Sequence, residues 1–187
     1  MKDLIIDVKD INKEIKNTKK YLKYCDKNNV KIKYNTNDET LKQIEKAINE
    51  KDLSKRYSYI YDIVCDYIDK KYLECNYCEF KDDVCKYFRE NNDLNHKNGC
   101  CYSDARGGLC EHLVNKHCNI KSISCKLYSC EILRNNNIKF RIRKIPLLKY
   151  FFNIKQKYYL KYSFFKDKTY VMYKLIEKKW LNGKINN

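Results

Sequence analysis

Proline occurs once and glycine four times in the 187 residues, and no stretch approaches the length of uncharged apolar sequence a membrane helix needs. Such a helix takes roughly 20 consecutive apolar residues. The longest apolar neighbourhood, Ile145 to Phe152, is broken by Lys149, so no transmembrane segment is expected. The opening Met1-Lys2-Asp3-Leu4-Ile5-Ile6-Asp7 lacks the apolar core and small-residue cleavage site of a secretory signal, which points to the cytoplasm. Internal repeats and low-complexity linkers are also missing. Lysine and arginine (40) outnumber aspartate and glutamate (24), giving a formal charge of +16, yet no run of five lysines occurs. Net positive charge favours anionic partners, whereas dispersed lysines describe a solvated surface. The surplus of Lys, Asn, Ile and Tyr also matches the codon usage of an AT-rich genome. Nucleic acid is therefore a partner the composition allows but does not favour, and no protein partner or substrate is specified.

One residue type is abundant. Nine of eleven cysteines, all three histidines and three of four glycines lie between Cys75 and Cys130. An odd cysteine count fits disulfide pairing poorly, and a reducing cytoplasm keeps thiols free or metal-bound. Thiolate sulfur is a soft ligand that suits zinc, copper(I) or iron–sulfur clusters. Here too the absences discriminate. A zinc ribbon needs two Cys-x2-Cys knuckles and only Cys75 to Cys78 is one. The closely spaced cysteine run of bacterial ferredoxins and the cysteine triplet of radical enzymes using S-adenosylmethionine are missing. Nine thiols exceed what one zinc site uses, so an iron–sulfur cluster is expected first and zinc second. Cys100, Cys101, Cys110, Cys118, Cys125 and Cys130 are the leading metal ligands, followed by Cys75, Cys78 and Cys85. Side chains of the adjacent Cys100 and Cys101 diverge, which suits two irons, two sites, or one ligand and one packed thiol. His96, His112 and His117 read as polar loop residues, with His117, beside Cys118, the best placed to supply nitrogen. Asp82 and Asp83 read as surface carboxylates, and the isolated Cys25 and Cys65 as apolar fillers.

Periodicity predicts a mainly α fold: helical flanks around an irregular cysteine-rich metal-binding block, with at most a short strand or hairpin. Three segments of one unit are expected, at 1–74, 75–133 and 134–187. In the first, Ile5, Val8, Ile11, Ile15 and Leu22 have roughly helical spacing, and Asn28 to Asn37 reads as a loop. Thr36-Asn37-Asp38-Glu39 reads as a capping box for a helix that carries Leu41, Ile44 and Ile48 inward. Asp52 is a cap candidate for the strongest stripe in the chain, Leu53, Tyr57, Ile60, Val64 and Ile68. Gly99, Gly107 and Gly108 suit the turns of a metal loop, and Ile123, Leu127, Cys130 and Leu133 fit one helical face. In the third segment, Ile138 to Arg143 alternates apolar with basic residues, as a short strand would. Pro146 suits the first turn of a helix through Leu147, Leu148, Phe151, Phe152, Tyr159 and Tyr162, and Asp167 caps one with Val171, Leu175 and Trp180. The aromatic, basic stretch from Lys149 to Tyr162 could stack bases, but packing on the core is the preferred reading. Arg141, Arg143 and Lys144 form a modest positive rim under either reading.

Within the block, Cys110-Glu111-His112-Leu113, Cys118-Asn119-Ile120, Cys125-Lys126-Leu127-Tyr128 and Cys130 resemble the second half of the zinc- or iron-chelating cysteine-rich domain family (YkgJ-type). Gly99-Cys100-Cys101 behind Cys75-x2-Cys78 resembles its first half. The resemblance spans Cys75 to Cys130 and leaves both flanks outside it. It implies iron–sulfur or zinc binding with no settled general activity. A related cysteine pattern in flagellin lysine N-methylases implies cluster-supported protein methylation as an alternative, and a structural zinc domain binding nucleic acid is a third. Whether the chain is an enzyme is left open. Glu111 stands where the family has proline, Lys121 where it has tyrosine and Lys126 where it has arginine; Cys85 falls in an insertion between Cys78 and Cys100.

Overall fold

Lys-Ile-Lys-Tyr-Asn alternates polar with apolar residues, and in the computed structural model, which describes residues 2–75, 80–81, 84–85, 102–103, 108–115 and 117–177, it is a strand. β2 (Lys31–Asn35) buries Ile32 and Tyr34 and exposes Lys31, Lys33 and Asn35. It pairs in parallel with β1 (Asp3–Asp7), in register from Asp3↔Lys31 to Asp7↔Asn35. The first segment is thus not wholly helical: Ile5 belongs to β1, and the expected loop at 28–37 contains β2. Two-residue periodicity dominates there because each strand turns one face to the core.

α1 (Ile11–Asn28) joins the two strands. Its start is fixed by Asp10, whose carboxylate accepts from Lys13 N at 3.1 Å. Its end is fixed by Asn29, at φ 50° in the left-handed region that asparagine tolerates. The outer edge of β2 is closed by α2 (Glu39–Asn49). Ile32 N donates to Asn49 Oδ1 at 2.9 Å, Asn49 Nδ2 donates to Ile32 O at 2.8 Å, and Tyr34 N donates to Glu45 Oε2 at 2.7 Å. Side chains one helical turn apart therefore take the place of a neighbouring strand and leave this edge no free peptide groups at Ile32 and Tyr34. The cap of α2 is Asp38, not Thr36: Asp38 Oδ1 accepts from Leu41 N at 2.8 Å, while the Thr36 hydroxyl accepts from Asp38 N.

α3 (Leu53–Cys75) is the spine of the molecule and ends at Cys75, the first cysteine of the block. Asp52 caps it, accepting from Lys55 N at 3.0 Å. Tyr57, Ile60, Val64 and Ile68 are buried, whereas Leu53, in the first turn, is exposed. With Leu41, Ile44 and Ile48 of α2 they form the main core, each full burial worth about 1.5–3 kcal/mol. Beyond α3 come two-residue antiparallel ladders: β3 (Phe80–Lys81) with β4 (Val84–Cys85), β5 (Tyr102–Ser103) with β6 (Gly108–Leu109), and β7 (Leu113–Val114) with β8 (His117–Cys118). Two short helices follow, α4 (Ile123–Leu127) and α5 (Glu131–Asn135), where one continuous helical face was expected.

Ile138 to Arg143 is not a strand. It leads into a 3₁₀ turn at Ile142–Lys144, with Phe140 against Tyr72 of α3 at 5.3 Å between ring centroids. Pro146 opens α6 (Pro146–Phe151) as expected, but this helix stops at Phe152 and α7 (Ile154–Tyr162) restarts at Asn153. Asn153 accepts from Gln156 N, and the Gln156 side chain accepts from Asn153 N, a reciprocal box that breaks the expected single helix. Buried Gln156 also donates to Tyr57 OH and Leu175 O, tying α7 to α3 and to α8 (Lys168–Ile176). Asp167 caps α8, accepting from Tyr170 N at 2.8 Å; Trp180 lies outside the described residues. The fold is mainly α, and no helix among the described residues is long and apolar enough to cross a membrane.

Candidate metal centre

The second half of the cysteine block is docked on α3 by residues that recur every three or four positions. Asp62, Asp66 and Asp69 form one stripe of that helix. Asp66 pairs with Lys121, Asp69 with Lys126 at 2.5 Å, and Asp62 with Lys168 of α8 at 2.6 Å. Beside this stripe, Tyr61 OH accepts from Ile123 N at 3.3 Å, supplying a partner for an amide at the open start of α4. Tyr72 OH donates to Tyr128 O at 3.3 Å. On the other side of α4, Ser124 Oγ donates to Leu160 O of α7 at 2.7 Å. A five-residue helix too short to hold itself is thereby fixed from both sides.

These anchors place three thiols. Cys110 is buried, and its carbonyl accepts from Leu113 N at 2.9 Å as the chain turns into β7. Asn115, at φ 48°, reverses the hairpin, as asparagine does readily in a tight turn. Cys118 then lies opposite Leu113, so the hairpin returns it towards the Cys110 end. Cys125 sits in the first turn of α4, its N–H directed at the Ser122 hydroxyl at 3.5 Å. Buried Lys126 donates to both Asp69 and the Cys118 carbonyl, at 3.2 Å for the latter, and so joins the hairpin to α3. Burial pushes the Cys118 thiol up; the Ile120 backbone amide and the Lys126 ammonium pull it down, and the nearby Cys125 and Cys110 push it up again.

The remaining expected ligands are placed as follows. Cys75 is exposed at the end of α3, and Cys130 is half-buried, its carbonyl accepting from Arg134 N at the start of α5. Cys85 is in β4, with its side chain outside the described residues, as are Cys78, Cys100 and Cys101. His112 is half-buried beside Glu111 at 3.6 Å; His96, Asp82, Asp83 and the His117 side chain lie outside the described residues. Among the described residues, no three His, Cys, Asp or Glu side chains are grouped closely enough to hold a metal ion. Cys25 and Cys65 are fully buried free thiols within the core, as expected for fillers, and burial raises Cys65 to about 12.

Asp66, Asp69 and Tyr61 were not singled out by the sequence, and Lys126 only as a departure from the family pattern. Carboxylates at 62, 66 and 69, flanking the apolar stripe of α3, were the available signal for a docking face. Comparison with protein-family models, curated proteins and solved structures gives no significant match.

Proposed function

We propose that this chain is a cysteine-ligated metal-binding protein, with an iron–sulfur cluster as its first candidate cofactor and a redox or cluster-dependent role. One observation carries the reading: nine cysteines fall between Cys75 and Cys130, and within that block Lys126, next to Cys125 in α4, donates to the carbonyl of Cys118 on the hairpin and to Asp69 of α3, tying together the segments that carry these two thiols. Soft thiolates are the donor set that iron–sulfur and zinc centres use. A thiol must lose its proton to bind metal; burial holds the Cys118 thiol up, and the Lys126 ammonium beside it works in the opposite direction. Further ligands would come from the other cysteines between Cys75 and Cys130. Two departures from the YkgJ-type pattern, Lys121 and Lys126, are the residues that pair with Asp66 and Asp69, so they act here in docking the block.

The test is metal analysis and visible absorbance of protein purified without oxygen, alongside three variants. Iron with sulfide and a broad visible band supports the cluster; stoichiometric zinc in a colourless protein replaces it with the zinc form. Cys118→Ser and Cys125→Ser are expected to lose metal and Cys25→Ser to keep it. Wild-type protein without bound metal, or equal retention in all three variants, overturns the reading.

A further inference from the structure

The apolar half of the aromatic tail packs inward, with Tyr150 and Tyr159 partly buried against the core, but Tyr158 and Tyr162 are exposed. Gln156 and Leu160 are buried on one side of α7, and Tyr158, 65% exposed, lies opposite them. At about 100° per residue, Tyr162 and Ile154 flank Tyr158 on the exposed side, with Lys157 at one margin and Tyr159 at the other. The rings of Tyr158 and Tyr162 lie 4.6 Å apart, and Lys161 Nζ sits 4.8 Å from the Tyr162 ring.

Both margins continue the surface. At the first, the Lys157 ammonium is shifted downward by burial and then by Lys19, Arg143 and Lys149, so cations from α1, the 3₁₀ turn and α6 converge there. Lys157 Nζ also donates to Lys149 O at 2.6 Å, which fixes it in place. At the other, burial raises the Tyr159 hydroxyl, Tyr170 of α8 raises it further and Lys174 of α8 pulls it back. Lys174 Nζ lies 5.6 Å from the Tyr170 ring and 5.3 Å from the Tyr173 ring, and Tyr173 is 61% exposed. Glu177 pairs with Lys174 at 2.7 Å.

We propose that the exposed face of α7, continued on α8, is a binding surface for single-stranded nucleic acid, with phosphates held at the Lys157 margin and bases stacked on Tyr158, Tyr162 and Tyr173. Exposed rings interleaved with ammonium groups are the chemistry that binds unpaired bases without reading sequence. An anionic membrane would also attract the lysines, but insertion needs a broad apolar face, and among the described residues Ile154 is the only aliphatic side chain exposed on this face. The inference is independent of the metal reading, because none of these residues belongs to the cysteine block.

The test is fluorescence anisotropy of the purified full chain with short labelled oligo(U) and oligo(dT), over a salt series about the physiological 150 mM. Both strands are expected to bind, with affinity falling as salt rises. The double variant Tyr158→Ala/Tyr162→Ala should weaken binding at least about fivefold while the Phe replacements retain it. Lys157→Gln should lower the salt slope. These tyrosines are exposed, so a circular dichroism melt is expected to show the alanine variant folded. Absence of binding at physiological salt, equal affinity for a duplex of the same length, or an unchanged alanine variant overturns the proposal. So does preferential capture by phosphatidylserine vesicles that oligo(U) cannot displace.

Discussion

Lys126 and Asp69 form an ion pair in which the ammonium is buried and the carboxylate half-exposed, and the same ammonium donates to the carbonyl of Cys118. One side chain thus fixes the distance between the cysteine hairpin and α3. Removing Asp69 leaves a buried cation short of its counter-charge, which costs more than removing both partners. Asp69→Asn is therefore expected to lower stability by about 1–3 kcal/mol, the reduced figure reflecting the half-exposed carboxylate. Lys126→Met keeps the aliphatic stem packed and should cost less. Urea midpoints of the two variants check this order, and a greater loss in Lys126→Met would contradict it.

Much of the core and several helix starts were legible, because they are written locally. Leu41, Ile44 and Ile48 are buried as their spacing requires, and Asp52, Pro146 and Asp167 start helices by the geometry of their own side chains. β1 and β2 were not, since Ile5, Val8 and Ile11 also satisfy a helical period and a parallel pair links residues 28 apart in sequence. Asn49 illustrates the difficulty: nothing in a polar residue at the end of a helix announces a carboxamide completing a strand edge. At the site, cysteine density marked the region, but which helix face receives a later loop depends on tertiary packing. Asp66 and Asp69 look like ordinary surface acids until Lys121 and Lys126 are placed against them.

Alkaline pH should weaken the fold before acid does so through these groups. Burial raises Cys65 to about 12 from an ordinary 9.0, and Tyr21, which donates to Glu14, to about 12 from 10.0. An unfolded chain releases these protons at lower pH than the folded one, so it binds fewer protons in that interval. The stability from keeping both groups neutral is fully present below about pH 9 and declines as pH rises towards 12. Urea midpoints at intervals from pH 8 upward are expected to fall steadily, and Cys65→Val should flatten the early part of the decline. A midpoint independent of pH across that range would show that these groups do not govern it.

On the proposed metal-binding reading, metal removal is expected to loosen the cysteine block without melting the helices. Among the described residues between Cys75 and Cys130, only Ile123 is buried in the main hydrophobic cluster, with Leu127 packed against it. The remaining members come from β2, α1 to α3 and α6 to α8, which hold one another without the hairpins. Metal and folding are coupled only where ligands have no other means of staying together. Treating the metal-loaded protein with a strong chelator is therefore expected to leave most far-ultraviolet helical signal in place. Limited proteolysis should then cut between Cys75 and Cys118, where the loaded protein resists. The α3 contacts of Lys126 and Ile123 should protect α4 after the metal has gone. A cooperative loss of helix on chelation would instead mean that the ion organises the whole chain, and the α3 spine would lose its place as the support of the site.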